Sequence, residues 1–189
     1  KLSYELSYQS VAVTACRTFL KEYPESAHTG EANEILINIY ASTRNYRDAL
    51  EALESIKVKT PGMKAAYQKV AYYRAIELYM DNDLAQSAQL LQTSLGNPVD
   101  QRITAEAHDC KGEIAYKQSK FDQAVKSYND FLYSPGAVTS EHYNLANYNN
   151  GYAYFKIENY ANAQTAFRKY VKDKSLTDSD RYGDALLRI

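Results

Sequence analysis

The chain has 189 residues, with 22 Lys and Arg against 23 Asp and Glu, a net charge of −1. That balance excludes a broadly basic surface for nucleic acid or anionic lipid. With 7 Gly and 4 Pro there is little punctuation, which favours long helices over many short strands. Trp is absent and Tyr reaches 19; a tyrosine can bury its ring and keep its hydroxyl at the water edge, which suits thin layers.

No apolar run approaches the roughly 18 residues of a membrane helix. The longest, Ile35 to Tyr40, is interrupted by Asn38. The chain opens at Lys1 without a leader pattern, and reads as an excised or mature piece whose targeting information has been removed. Cys16 and Cys110 read as two small buried hydrophobes.

In chain order, a partial unit runs from Tyr8 to Pro24. Predicted helix pairs follow. Glu31 to Arg44 precedes a helix opened by Tyr46, and Ala65 to Met80 precedes one opened by Leu84. Ala105 to Gln118 precedes one opened by Phe121, and Glu141 to Lys156 precedes one opened by Tyr160. The four openers recur every 37 to 39 residues, the mark of a repeat array. Three positions after each opener stands a small residue (Ala49, Ser87, Ala124, Ala163), and four further on a large one (Leu53, Leu91, Tyr128, Phe167). Such spacing traces one helical face, with the small residue admitting a neighbouring helix.

The turns inside each pair, "TRN", "DND", "QSK" and "IEN", are short and polar, which predicts antiparallel neighbours. Between pairs stand stronger breaks: "TPGM", "GNPVD", "SPGAVTS" and "DKSLTDSD". Asp100, Ser140 and Asp178 are expected N-caps for the helices after three of them. One hairpin cannot bury its own apolar face, so neighbours must stack on it. The expected array is a partial unit over 1–26, full units over 27–60, 61–97, 98–136 and 137–175, and the start of another over 176–189. In that last segment Tyr182, Ala185, Leu186 and Ile189 form an apolar stripe without a following helix to cover it. Uncapped ends predict continuation of the array or end-to-end self-association.

The repeat resembles the tetratricopeptide (TPR) family, whose pattern is Trp-x2-Leu-Gly-x2-Tyr in the first helix, then Ala-x3-Phe and a later Pro. Gly112, Ala124, Tyr128 and Pro135 take the corresponding slots in one unit, while His108 and Lys111 replace the Trp and Leu. Gly151, Tyr154, Ala163 and Phe167 take them in the next, with Asn147 and Asn150 as replacements. Earlier units carry Ile37 or Ala75 at the glycine slot. The resemblance implies an all-α, right-handed superhelix of antiparallel hairpins, about ten helices in all. The phrase "FLKEYPES", Phe19 to Ser26, resembles the repeat ending of bacterial cell-envelope TPR proteins, the Tol–Pal-associated and outer-membrane assembly lipoproteins. That implies a periplasmic or outer-membrane-associated location, with the cytoplasm as the alternative.

Chemistry is sparse. His28, His108 and His142 fall in three units, none with a second His or a Cys at metal-ligand spacing, so packing roles and no metal are expected. Cys16 and Cys110 are more than two hairpins apart, too far for a disulfide. "MDNDLAQS" lacks the glycine and closing Glu of a calcium loop. Phosphate loops, nucleophile elbows and paired catalytic carboxylates are missing, which predicts a non-enzyme without cofactor.

In TPR arrays the first helices of the hairpins line the concave face. By that geometry the groove begins with Glu31, Glu34 and Asn38. The expected partner-binding residues are Tyr72, Ile76, Tyr79, Asp109, Glu113, Tyr116, Tyr148, Tyr152 and Phe155. The Lys/Asn clamp that holds acidic C-terminal peptides is not evident. The expected function is a scaffold for a peptide or partner protein; a glycan- or small-ligand-binding module and a structural spacer are the alternatives.

Overall fold

The computed structural model describes Tyr4, residues 8–172 and residues 179–189. Among the described residues there are ten helices and no strand. They are α1 (Gln9–Glu22), α2 (Thr29–Ser42), α3 (Tyr46–Ser55), α4 (Pro61–Met80), α5 (Leu84–Leu95), α6 (Gln101–Lys117), α7 (Phe121–Leu132), α8 (Tyr143–Lys156), α9 (Tyr160–Val171) and α10 (Ser179–Leu187). Each helix packs on the next in sequence, and α2, α4 and α6 also touch in turn. The architecture is an all-α solenoid of antiparallel hairpins.

All four predicted openers are the first residues of their helices: Tyr46, Leu84, Phe121 and Tyr160. The turn before each has one geometry. Arg44, Asn82, Ser119 and Glu158 adopt φ of 57°, 61°, 59° and 60°. The residue after each donates its N–H back to the preceding helix, to the carbonyls of Tyr40, Leu78, Ala115 and Tyr154 at 2.8–3.0 Å. This is a Schellman closure in the left-handed region, made four times without glycine. Asn45, Asp83 and Asn159 then cap the following helix by accepting from Asp48, Gln86 and Asn162 N–H groups. Lys120, in the same place before α7, makes no side-chain cap.

The breaks between pairs behave less uniformly. Asp100 caps α6 as expected, accepting from the N–H groups of Arg102 and Ile103 at 2.8 and 3.2 Å. Ser140 does not cap α8. That helix begins three residues on, at Tyr143, and Ser140 Oγ instead accepts the backbone N–H of His142 at 3.1 Å. Asp178 lies outside the described residues. The helix expected from Ala65 starts at Pro61, because Thr60 caps it and proline suits the first helical position.

The core explains the repeat pattern. Ala49, Leu53, Leu91, Ala124, Phe131 and Phe167 are wholly buried. A methyl group added at Gly112 would come within 2.6 Å of the Tyr128 ring, and one at Gly151 within 2.8 Å of the Phe167 ring. The glycines therefore admit the aromatic side chain of the paired helix. Gln68, also wholly buried, ties α4 to the start of α6. Its Oε1 accepts the N–H groups of Val99 and Asp100 at 3.0 and 2.6 Å. Its Nε2 donates to the Asp100 carbonyl and to Thr104 Oγ1, both at 2.9 Å. A buried amide with its partners in place is a strong positional lock. Cys16 and Cys110 are free and buried. No helix among the described residues is long and apolar enough to cross a membrane.

Candidate functional site

The first helices of successive hairpins share one cleft of about 360 Å³. Tyr79 comes from α4, Asp109 and Glu113 from α6, Leu145 and Asn149 from α8, and Arg181 from α10. His142, at the entry to α8, completes its wall. Three hairpins and α10 thus contribute to one surface, as the stacking of equivalent helices requires.

The expected groove residues come from four helices, α2, α4, α6 and α8. Glu31, Glu34 and Asn38 are exposed along α2. Tyr72, Ile76 and Tyr79 are half-buried on α4, and Lys117 places its Nζ 4.0 Å from the Tyr79 ring centre. Burial, with the nearby Glu106 carboxylate, pushes the Tyr72 phenol well up. Tyr116 stacks edge-on against Phe121.

Asp109 and Glu113 are committed within the chain. Glu113 accepts from the Tyr128 hydroxyl at 2.8 Å and from Asn149 Nδ2 at 2.6 Å. Asp109 is only 8% exposed and lies 3.3 Å from His142 Nδ1. The same nitrogen lies 3.1 Å from a Glu106 oxygen. Hydrogen bonding to Asp109 and Glu106 raises the His142 pKa to about 10 despite desolvation. Glu106 is held below the usual carboxylate range by hydrogen bonding to His142, against its own burial. Burial pushes Asp109 up, against the hydrogen bond from His142. The imidazole thus stands between two carboxyl groups, with Asp109 buried behind it and its own ring half exposed towards the cleft.

Tyr148, Tyr152 and Phe155 face α10. The Tyr148 hydroxyl donates to Asp184 at 3.0 Å, and the Tyr152 hydroxyl donates to the same carboxylate. Arg188 Nε donates to the Tyr152 oxygen at 2.7 Å and to Asp184 at 3.1 Å. Its guanidinium lies over the rings of Tyr152 and Phe155. Phenols and a guanidinium are matched to one carboxylate, so these tyrosines hold the next helix in the stack. Tyr148 also meets the rings of Phe167 and Tyr170.

Sequence reading left Glu106 and Asn149 out of the groove, and gave His142 and Ser140 only packing and capping roles. The spacing of Glu106 and Asp109 was a visible signal, because residues three apart share a helix face. The histidine that joins them comes from the next hairpin, more than thirty residues on, and only stacking brings it there.

No protein-family profile and no curated protein matches the sequence. Solved structures do resemble the fold. BtubC (BKLC) from P. vanneervenii superposes with a TM-score of 0.60 at 14% identity, over 100% of this chain and 84% of that one. MamA gives 0.52 at 19% identity, over 90% of this chain and 91% of that one. The APC/C hetero-tetramer Cut9–Hcn1 gives 0.53 at 14% identity, over 97% of this chain and 34% of that one. At these identities the likeness establishes architecture alone: the chain is an α-helical solenoid.

Proposed function

We propose that this solenoid is a non-catalytic scaffold that binds a peptide or partner protein along the face formed by its first helices. The observation that carries this reading is the shared cleft, which has contributions from α4, α6, α8 and α10. An extended segment laid across it would meet four helices at the spacing of the repeat, with Tyr79 and Leu145 as apolar contacts. Aromatic anchors beside polar groups are the usual composition of such interfaces. The hetero-tetramer named for Cut9 and Hcn1 gives the same architecture a protein partner; for this chain the partner is part of the proposal. Tyr148 and Tyr152 enter the reading as the support for α10 rather than as direct contacts.

Two accompanying parts of the proposal rest on narrower features. The envelope location rests on the phrase Phe19 to Ser26, and fractionation of the source cells tests it. Self-association through α10 rests on Leu186 and Leu187, which are 50% and 90% exposed; sedimentation at several concentrations tests that.

The groove is tested by capture from a native envelope lysate, with Tyr79→Ser/Leu145→Ser as the comparison. Loss of the same captured protein from a variant with unchanged helicity supports the groove. Equal capture by both forms overturns it. Binding of oligosaccharides, with no protein captured, would favour a glycan module instead.

A further inference from the structure

Glu106 and Asp109 stand three residues apart on α6, with His142 Nδ1 at 3.1 Å from one carboxylate and 3.3 Å from the other. One donor atom from each of the three residues falls within 4.8 Å of the others. Two donors on one tetrahedral zinc, each bonded at about 2.0–2.1 Å, are roughly 3.3–3.4 Å apart. The histidine–carboxylate edges of the triad already have about that length. Imidazole and carboxylate together suit zinc-type cations rather than calcium or magnesium, which take oxygen donors.

The surroundings add independent support. Asp109 is 8% exposed, so its carboxylate is held in place by packing rather than waving in solvent. Ser140, 7% exposed, fixes the entry to α8: its Oγ accepts the backbone N–H of His142 at 3.1 Å, and its hydroxyl helps to hold the Glu106 carboxyl below its usual range. Support of this kind, one step behind the ligands, is what orients them at a metal. His142 is 47% exposed in its side chain, and the triad opens on the cleft, which gives a cation a path in and leaves room for water.

We propose that Glu106, Asp109 and His142 form a binding site for one divalent transition cation of the zinc type, with Ser140 as a positioning residue. In the metal-bound form the His142 Nδ1 lone pair takes the cation and its proton leaves to solvent. Three protein donors leave at least one coordination position for water or for a carboxylate or imidazole of a bound partner. This inference is independent of the scaffold reading, since the cation needs no partner to bind.

The test is calorimetry of the tag-free 189-residue chain with zinc chloride, together with the visible spectrum on adding cobalt(II). A single equivalent is expected, with a cobalt d–d band and a zinc-dependent rise in melting temperature. His142→Ala and Glu106→Gln should each weaken binding by more than tenfold. Ser140→Ala should weaken it by about tenfold, the order of effect seen when a supporting group is lost. His28→Ala and His108→Ala should leave it unchanged. Circular dichroism establishes that each variant is folded, and Glu106→Gln serves if His142→Ala is not. Absence of zinc heat and of a cobalt band at millimolar metal overturns the site, as does equal binding by wild type and Glu106→Gln.

Discussion

In α6 and α8 the residue facing the paired helix is glycine, and the ring of Tyr128 or Phe167 lies against it. In α4 the same position is Ala75, and the large residue of the paired helix is Leu91; both are wholly buried in one cluster. In α2 it is Ile37, buried with Leu53. The later hairpins thus combine the smallest residue with an aromatic ring, and the earlier ones combine aliphatic side chains. Closely packed interiors tolerate either combination while the shapes remain complementary. The repeat therefore conserves an interlocking of sizes rather than particular residues.

The largest expected effect comes from emptying these positions. Phe167→Ala should destabilise the array by about 3–5 kcal/mol and Leu91→Ala by about 2–5 kcal/mol, measured by urea denaturation. The sharper experiment is exchange. Gly151→Ala alone pushes a methyl into the Phe167 ring and should cost about 1–3 kcal/mol. Gly151→Ala with Phe167→Leu rebuilds the earlier combination, and should be more stable than the two single losses predict, by about 0.5–3 kcal/mol. Strict additivity would break the comparison.

Next in size is Gln68→Leu, which removes the buried side-chain oxygen that accepts the Val99 and Asp100 N–H groups at the entry to α6, leaving Val99 N–H its bond to the Asn97 carbonyl. We expect a loss of about 2–3 kcal/mol, with faster amide exchange at Val99 and Asp100. No equivalent buried glutamine joins the later hairpins among the described residues.

The docking of α10 should depend on acid. Burial raises the Asp184 pKa, but hydrogen bonds from Tyr152, Arg188 and Tyr148 outweigh it, so the carboxyl is lowered overall. A group lowered on folding contributes stability above its unfolded pKa, about 4 for Asp. That contribution is lost as pH falls through the lower folded value. Hydrogen exchange in α10 should therefore rise below about pH 4, and Asp184→Asn should remove that dependence.

The smallest effects concern the turns. Lys120→Asp should add the cap that Asn45, Asp83 and Asn159 supply elsewhere, stabilising by about 1 kcal/mol. Glu158→Gly, at φ 60°, should be neutral to stabilising by about 1 kcal/mol, because the left-handed conformation suits glycine. Thermal melts resolve both, and a destabilised Lys120→Asp would show that α7 starts by a different rule.

Much of this fold is legible in the residues. The period, the four openers and the small-then-large spacing are local facts of helical geometry, and they locate the starts of α3, α5, α7 and α9 to the residue. The start of α4 was less legible, because Pro61 and Gly62 read as a break until Thr60 is seen to cap them. The left-handed turns were hidden because Arg44, Asn82, Ser119 and Glu158 carry no glycine signature.

By itself the sequence determined a stack of helical hairpins and which face of each second helix is buried, since those follow from a period of 3.6 residues and the size of side chains. Only the tertiary structure decided which groove residues are occupied. Tyr148 and Tyr152 bind Asp184 and Arg188 because α10 returns to them. His142 joins Glu106 and Asp109 because one hairpin stacks on the next. Both arrangements join residues more than thirty positions apart, a separation that no local pattern encodes and that packing alone closes.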